Sequence, residues 1–295
     1  MNPREQGFLL LTSRMGDPER KPLTAAQLRA LASRVSGAAF PREDRELEPR
    51  DLMKLGYGRD MAERICGLLS DTVLLTHYLR RGRAAGCIPI SRVSENYPPL
   101  LRQRLGLDSP GCIWAKGDVS LLNKPAIALV GSRDLEEPNR IFAREVGLRA
   151  ARSGVALVSG NARGADRTAQ DACLEAGGSV ICFVADDLEH HPVTPNVLYL
   201  SEDAFDAAFT SIRALSRNRC IHALGQIVFV AQAALGKGGT WDGTTKNLRH
   251  GWSSVAVFRD GSEASRELEQ LGAYLVDMED LKEFSTIPLQ DPSLF

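Results

Sequence analysis

Ala126-Ile127-Ala128-Leu129-Val130 is an unbroken apolar run that ends in Gly131-Ser132-Arg133. A helix-compatible segment, Arg140 to Ser153, follows it and leads to a second apolar run, Val155-Ala156-Leu157-Val158. That run ends in Ser159-Gly160-Asn161-Ala162-Arg163-Gly164-Ala165-Asp166. Strand, glycine turn, helix, strand, glycine turn is the pattern of a βαβ unit in a parallel sheet. Both turns fall at strand C-terminal ends, where open α/β sheets bind ligands. Each carries small residues and an arginine, which suits a phosphate, either of a nucleotide or of a nucleic-acid backbone.

Working outward, strands are expected at 126–130, 155–158, 179–184, 197–200, 227–231, 254–258 and 273–276. Helices are expected at 138–153, 165–176, 204–213, 216–224 and 263–271. This alternation predicts a doubly wound, mainly parallel α/β sheet with right-handed crossovers. Ahead of it, Gly86-Cys87-Ile88-Pro89-Ile90 reads as extended, Asn96-Tyr97-Pro98-Pro99 as a stiff turn, and Cys112 to Gly117 as a short edge strand. Residues 1–85 lack strand patterns and read as a small all-α domain, with Thr24 as a helix cap and Asp44 to Pro49 as a charged connector. The α/β domain is expected over 86–283, and residues 284–295 as a tail with little pattern.

Within the helical part, Leu55-Gly56-Tyr57-Gly58-Arg59 leads into a helix with Ala62 and Ile65 inward. This resembles a helix-hairpin-helix turn, which offers backbone N–H groups to a phosphate. A plain packing corner needs glycine just as much.

The chain has 295 residues, 43% of them apolar and 25% charged, which is enough for a sizeable core. A net charge of −1 excludes a globally basic nucleic-acid binder and leaves room for a local basic patch. No apolar run approaches the roughly 18 residues of a membrane span, and charges follow Phe8-Leu9-Leu10 too soon for a signal peptide. Six cysteines stand without a CxxC pair, as in a reduced cytoplasmic protein with structural thiols. No metal-ligand spacing is present; His190-His191 has no third ligand.

Four clusters carry the chemistry. Gly131, Ser132 and Arg133 offer donors at the sheet edge. Ser159 to Asp166 combines two glycines with a helix N-terminus, where Asp166 serves the dipole or caps the helix. Ser216-Arg217-Asn218-Arg219 places two arginines where they can grip successive phosphates. His222, just beyond, reads as a packing or surface residue. Finally, Gly236-Lys237-Gly238-Gly239-Thr240-Trp241-Asp242-Gly243-Thr244 looks like an anion-binding loop, with Trp241 either stacking on a base or anchoring the loop. The G-x-G-x-x-G fingerprint is missing, so dinucleotide binding is disfavoured and no cofactor is expected. No paired carboxylates or GxSxG elbow mark a catalytic centre.

Taken together, these pieces resemble the DNA-processing protein A (DprA, or Smf) family. The resemblance covers about Tyr97 to Val276. It rests on Tyr97-Pro98 with Leu100, on Val130-Gly131-Ser132-Arg133, on an SGxAxGxD signature at Ser159 to Asp166, on Leu200-Ser201-Glu202 and on Arg217-Asn218-Arg219. It implies an extended Rossmann-like fold that binds single-stranded DNA, acts as a homodimer and loads a strand-exchange recombinase during natural transformation. By that resemblance Arg133, Ser159, Gly160, Gly164, Arg217, Asn218 and Arg219 line a DNA phosphate pocket. Lys237 and its neighbours Gly238, Gly239 and Thr240 are additions, as are Gly131, Ser132, Arg163 and Asp166.

The sequence also departs from that pattern. Gln170 replaces a usual histidine, the Gly-Gly-Thr-Trp-Asp-Gly-Thr loop replaces a Ser-Gly segment, and no winged-helix pattern follows. The rival reading is a nucleotide-binding protein or a Lonely Guy-like phosphoribohydrolase, whose PGGxGTxxE loop is similar to Gly238–Thr244. Its glutamate is missing, with Lys246 and Asn247 where it falls.

Overall fold

The structure, a computed structural model, describes residues 1–37, 46–284 and 287–289. The start of the expected 44–49 connector and most of the 284–295 tail lie outside the described residues. Among the described residues the chain opens with α1 (Pro3–Thr12), α2 (Ala25–Ser36), α3 (Pro49–Lys54), α4 (Arg59–Ser70) and α5 (Thr72–Ala84). Thr24 caps α2 in a reciprocal capping box with Gln27. Then follow β1 (Ile88–Ser91), α6 (Pro99–Leu105), β2 (Cys112–Gly117), β3 (Ala126–Val130), α7 (Glu137–Arg152), β4 (Ala156–Ser159), α8 (Ala165–Glu175), β5 (Ser179–Val184) and β6 (Val197–Glu202). The last elements are α9 (Ser211–Leu224), β7 (Ile227–Val230), α10 (Gly238–His250), β8 (Ser254–Phe258), α11 (Glu263–Gln270) and β9 (Tyr274–Val276).

Among the described residues nine strands form one sheet in the order β1-β2-β6-β5-β4-β3-β7-β8-β9. The run from β6 to β9 is parallel, while β1 and β2 are antiparallel to their neighbours. The fold is therefore the doubly wound α/β architecture that the alternation predicts, with helices preceding it. Chain order runs outward one way from β3 to β6 and the other way from β7 to β9. The reversal falls between β3 and β7, so a crevice opens there at the strand C-terminal ends.

Strand residues alternate between two cores. Ile127, Leu129, Leu157, Val180 and Phe229 pack on one face with Phe142 and Val146 of α7 and Ala169 of α8. Ala128, Val130, Val158, Ile181 and Val228 pack on the other with Leu101 of α6, Ile221 of α9 and Leu268 of α11. A smaller core joins α2, α3 and α4 through Leu31, Leu52 and Ile65. Tyr78 of α5 fastens the helices to the sheet. Its ring centroid lies 5.3 Å from Trp114 and 4.8 Å from Phe205, and its hydroxyl donates to Asp206 at 2.7 Å.

Three expectations need correction. Cys112–Gly117 is not an edge strand: β1 covers it, and Trp114 and Ala115 are fully buried. The helices expected at 204–213 and 216–224 are one helix, α9, which starts only at Ser211. Residues 204–210 are held out of helical geometry because Phe205 is buried and Asp206 is tied to Tyr78 and Arg81. Thr210 then caps α9 by accepting from Arg213 N at 3.1 Å, and no glycine or proline interrupts it at 214–215. The glycine loop 236–244 is mostly helix, since α10 begins at Gly238.

Candidate nucleic-acid interface

The two glycine turns meet at the crevice. Ala165 N donates to Ser132 O at 3.1 Å, and Ser132 N donates to Gln232 O at 3.0 Å, so the β3, β4 and β7 ends are laced by backbone bonds. Gly164 has φ of 87°, and a Cβ there would lie 2.4 Å from Arg133 O, so the turns touch through a position only glycine fits. Arg163 pairs with Asp134 across the turns at 2.9 Å, but both side chains are exposed and the pair contributes little.

Arg217 is the centre of the site. It projects from α9 and is 8% exposed, and its Nη2 donates to Gly160 O at 3.0 Å. From the other side Asp166, 6% exposed, accepts from Gly160 N at 3.0 Å and from Ala162 N at 3.2 Å. Arg217 and Asp166 thus clamp one loop between them. Burial pushes the Asp166 carboxyl up, against the pull of Arg217 and the two N–H donors. Burial likewise pulls the guanidinium down, with Asp166 opposing. Arg217 Nε is buried and has no hydrogen-bond partner among the described residues. A buried cationic donor without a partner is costly until a ligand meets it.

Around Arg217 lie two adjoining cavities. One, of about 410 Å³, is bounded by Gly131, Ser132, Arg133, Asn218, Lys237 and the start of α10. Among the described residues no side chain caps the N-terminus of α10, so the first-turn N–H groups of Gly238, Gly239 and Thr240 are available to an anion. Asn218 Nδ2 holds this turn in place by donating to Gly239 O at 3.2 Å. The second cavity, of about 440 Å³, lies over Gly160 and Asn161 and reaches Asp186. Arg133, Arg217 and Phe209 line both.

The structure separates some residues that the sequence groups together. Ser159 is fully buried and accepts from Gln170 Nε2, below the crevice floor. Arg219 turns away from Arg217. Its Nη2 pairs with Glu202 and its Nε donates to Asp108 O at 3.0 Å, in a separate cleft of about 1200 Å³ beside α1 and α2. That larger cleft is of mixed charge, with Asp108, Asp203 and Asp242 beside Arg4, Arg29, Arg92 and Arg102. Sequence reading missed Asn161, Asp186 and Phe209. Only Asn161 left a signal, as a left-handed-tolerant residue between two glycines; its φ is 58°.

His222 is buried below the first cavity. Asn247 Nδ2 donates to its Nδ1 at 3.2 Å, and Ser253 Oγ donates to its backbone O at 2.8 Å. Its imidazole is therefore a neutral acceptor at Nδ1, and burial, with Arg217 adding, pushes its pKa down to about 3. The unfolded chain takes up a proton below its ordinary pKa of 6.5 and the folded chain does not, so stability is lost as pH falls from 6.5 towards 3. From pH 7.5 to 5.5 this histidine is expected to cost about 1.4 kcal/mol. Urea unfolding at pH 7.5 and 5.5 is expected to show the wild type faring about 1.4 kcal/mol worse than His222→Gln over that interval; an equal change in the two proteins contradicts the assignment.

At the positions where a phosphoribohydrolase glutamate falls, Lys246 pairs with Asp242 at 2.8 Å, and Asn247 is buried and bonded to His222 and Ser253. The helix-hairpin-helix-like turn lies on the α2–α4 side. Arg34 donates to Gly56 O at 2.8 Å and stacks over Tyr57 at 4.2 Å, so the turn is tied to α2. Among the described residues no group of three or more His, Cys, Asp or Glu side chains is placed to hold a metal. No helix among them is long and apolar enough to cross a membrane.

Comparison with known proteins bears on what this crevice serves. The model of a family described as DNA recombination-mediator protein A matches residues 89–285. The chain belongs to this family. Protein Smf of Escherichia coli is 31% identical over 202 residues, covering 62% of this chain and 52% of its own. DNA processing protein DprA of Streptococcus pneumoniae is 29% identical over 182 residues, covering 57% and 64%. The matches thus span only about half to two thirds of these relatives' own lengths. Among solved structures, DprA of Streptococcus pneumoniae shares the fold with a TM-score of 0.70 at 22% identity, covering 97% of this chain and 96% of that one. Helicobacter pylori DprA, solved for its single-stranded DNA binding mode, gives a TM-score of 0.56 at 23% identity over 68% of this chain and 94% of its own.

Proposed function

We propose that this protein binds single-stranded DNA across the β3–β4–α9–α10 crevice and presents the strand to a strand-exchange recombinase. In this reading it works in the cytoplasm as a homodimer, in DNA uptake and transformation or in repair, by binding and not by catalysis, with no cofactor. Residues 86–283 would be the DNA-binding unit and residues 1–85 a helical domain attached to it.

The observation that carries the reading is Arg217, which is buried, lines both cavities and has no partner for its Nε among the described residues. One phosphate at Arg217 and the α10 N-terminus, and the next towards Arg133, would follow a sugar-phosphate backbone along the crevice. Family membership and the fold shared with a DNA-binding relative support it. Under this reading Arg133, Gly160, Gly164, Arg217, Asn218 and Lys237 face or shape the strand path, while Ser159 and Arg219 support it from outside.

The test is a titration with a labelled single-stranded oligonucleotide at two salt concentrations, alongside free nucleotides. Binding of micromolar order or tighter is expected, with a log–log salt slope of about −0.7 for each phosphate contact. A protein that ignores the oligonucleotide yet binds or hydrolyses a nucleoside monophosphate contradicts the proposal.

A further inference from the structure

The second cavity differs in chemistry from the first. The first presents chiefly donors, Arg217, Lys237 and the N–H groups of α10, while its carboxylate, Asp166, is turned to Gly160 N and Ala162 N. The second adds acceptors to its arginines. Asn161 sits at its wall in a left-handed conformation, with its Oδ1 buried and without a partner among the described residues. Asp186, at the end of β5, lines the same cavity with its side chain half exposed. His191 Nε2 contacts Asp186 Oδ1 at 3.1 Å, and this bond holds the carboxyl below its ordinary range. His191 itself is stacked on Tyr199, centroids 4.5 Å apart, so Asp186 is anchored as an ionised acceptor with lone pairs to spare. Phe209 is 55% exposed at the lip shared with the phosphate cavity. An exposed aromatic ring beside a buried orphan acceptor is an unfavourable surface for a chain to keep uncovered.

We propose that this cavity is a nucleobase subsite that prefers guanine, resting on the single-stranded DNA reading given above. The strand's phosphate would sit at Arg217, its base would enter over Asn161 and stack against Phe209, and Asp186 would read the base edge. A carboxylate offers only acceptors, so it selects a base with two adjacent donors. Guanine has them, at N1–H and the exocyclic N2 amino group. Thymine presents one donor between two carbonyls. Cytosine and adenine place an acceptor nitrogen beside their amino group, which a carboxylate oxygen repels. A cavity of about 440 Å³ has room for a base and its sugar.

The experiment compares two labelled strands identical except that every guanine is replaced by inosine, which lacks only the N2 amino group. The wild type is expected to bind the guanine strand roughly tenfold more tightly. Asp186→Asn should bring that ratio near one. Asn161→Gly, which preserves the left-handed backbone, should reduce the ratio as well. A wild-type ratio near one, or a ratio unchanged in both variants, overturns the subsite. A parallel arm measures deoxyguanosine against deoxyinosine 5′-monophosphate. Should neither strand bind, the DNA reading fails by itself. A deoxyguanosine preference that Asp186→Asn removes then still supports the subsite, and equal or no binding overturns it.

Discussion

Gly164→Ala is expected to destabilise the fold by about 3 kcal/mol and to abolish strand binding with it. Two independent costs add. The backbone there has φ of 87° and ψ of −124°, a region that residues with a Cβ scarcely visit. The added methyl would also meet Arg133 O at 2.4 Å and Ser132 O at 2.5 Å, both backbone atoms fixed by the β3 turn. Neither can step aside, because Ser132 is bonded to Gln232 on one side and to Ala165 on the other. Relief must come from separating the two glycine turns, which opens the loop that Asp166 and Arg217 clamp. Urea unfolding of the variant measures the first effect and oligonucleotide titration the second. A loss of well under 1 kcal/mol would mean that the turns are not held against each other as described.

That clamp explains how far sequence reading reached. The strands 126–130, 179–184 and 254–258 were legible to the residue, because fully buried parallel strands are continuous apolar runs bounded by turns. The two glycine turns were legible for the same reason: glycine is demanded where backbones touch. Helix α10 was hidden by the same residue. Gly238, Gly239 and Gly243 lower helix propensity by about 1 kcal/mol each and read as a loop. A Cβ at Gly243 would come 2.9 Å from His222 Nε2, so packing against α9 requires glycine there, and tertiary contact outweighs local preference. Long-range ties hid the start of α9 in the same way, since nothing near Asp206 in sequence announces Tyr78 and Arg81.

The site residues divide along a related line. Arg217-Asn218-Arg219 reads as a paired grip, yet successive helical positions lie about 100° apart and face different surroundings. Arg217 turns to Gly160, and Arg219 to Glu202 and Asp108. Which arginine lines the crevice was therefore decided by the carboxylate at 202, which the sequence shows but does not place. The acceptors Asn161 and Asp186 come from different turns and meet only once β4 and β5 are paired.

The central claim is that Arg217, buried and unpartnered at Nε, is kept for a phosphate of a single strand. Its most direct test is the affinity of Arg217→Ala for a single-stranded oligonucleotide across a salt series, beside the wild type and Arg219→Ala. Removing Arg217 leaves Asp166 buried without its cation, so each variant is first shown by urea unfolding to be folded under the binding conditions. Arg217→Ala is expected to lose roughly 10- to 100-fold in affinity, as for a charge-assisted bond, and to reduce the salt slope by about 0.7. Arg219→Ala should lose stability through the broken Glu202 pair and keep most of its affinity. Folded Arg217→Ala that binds the strand with wild-type affinity and slope would contradict the account.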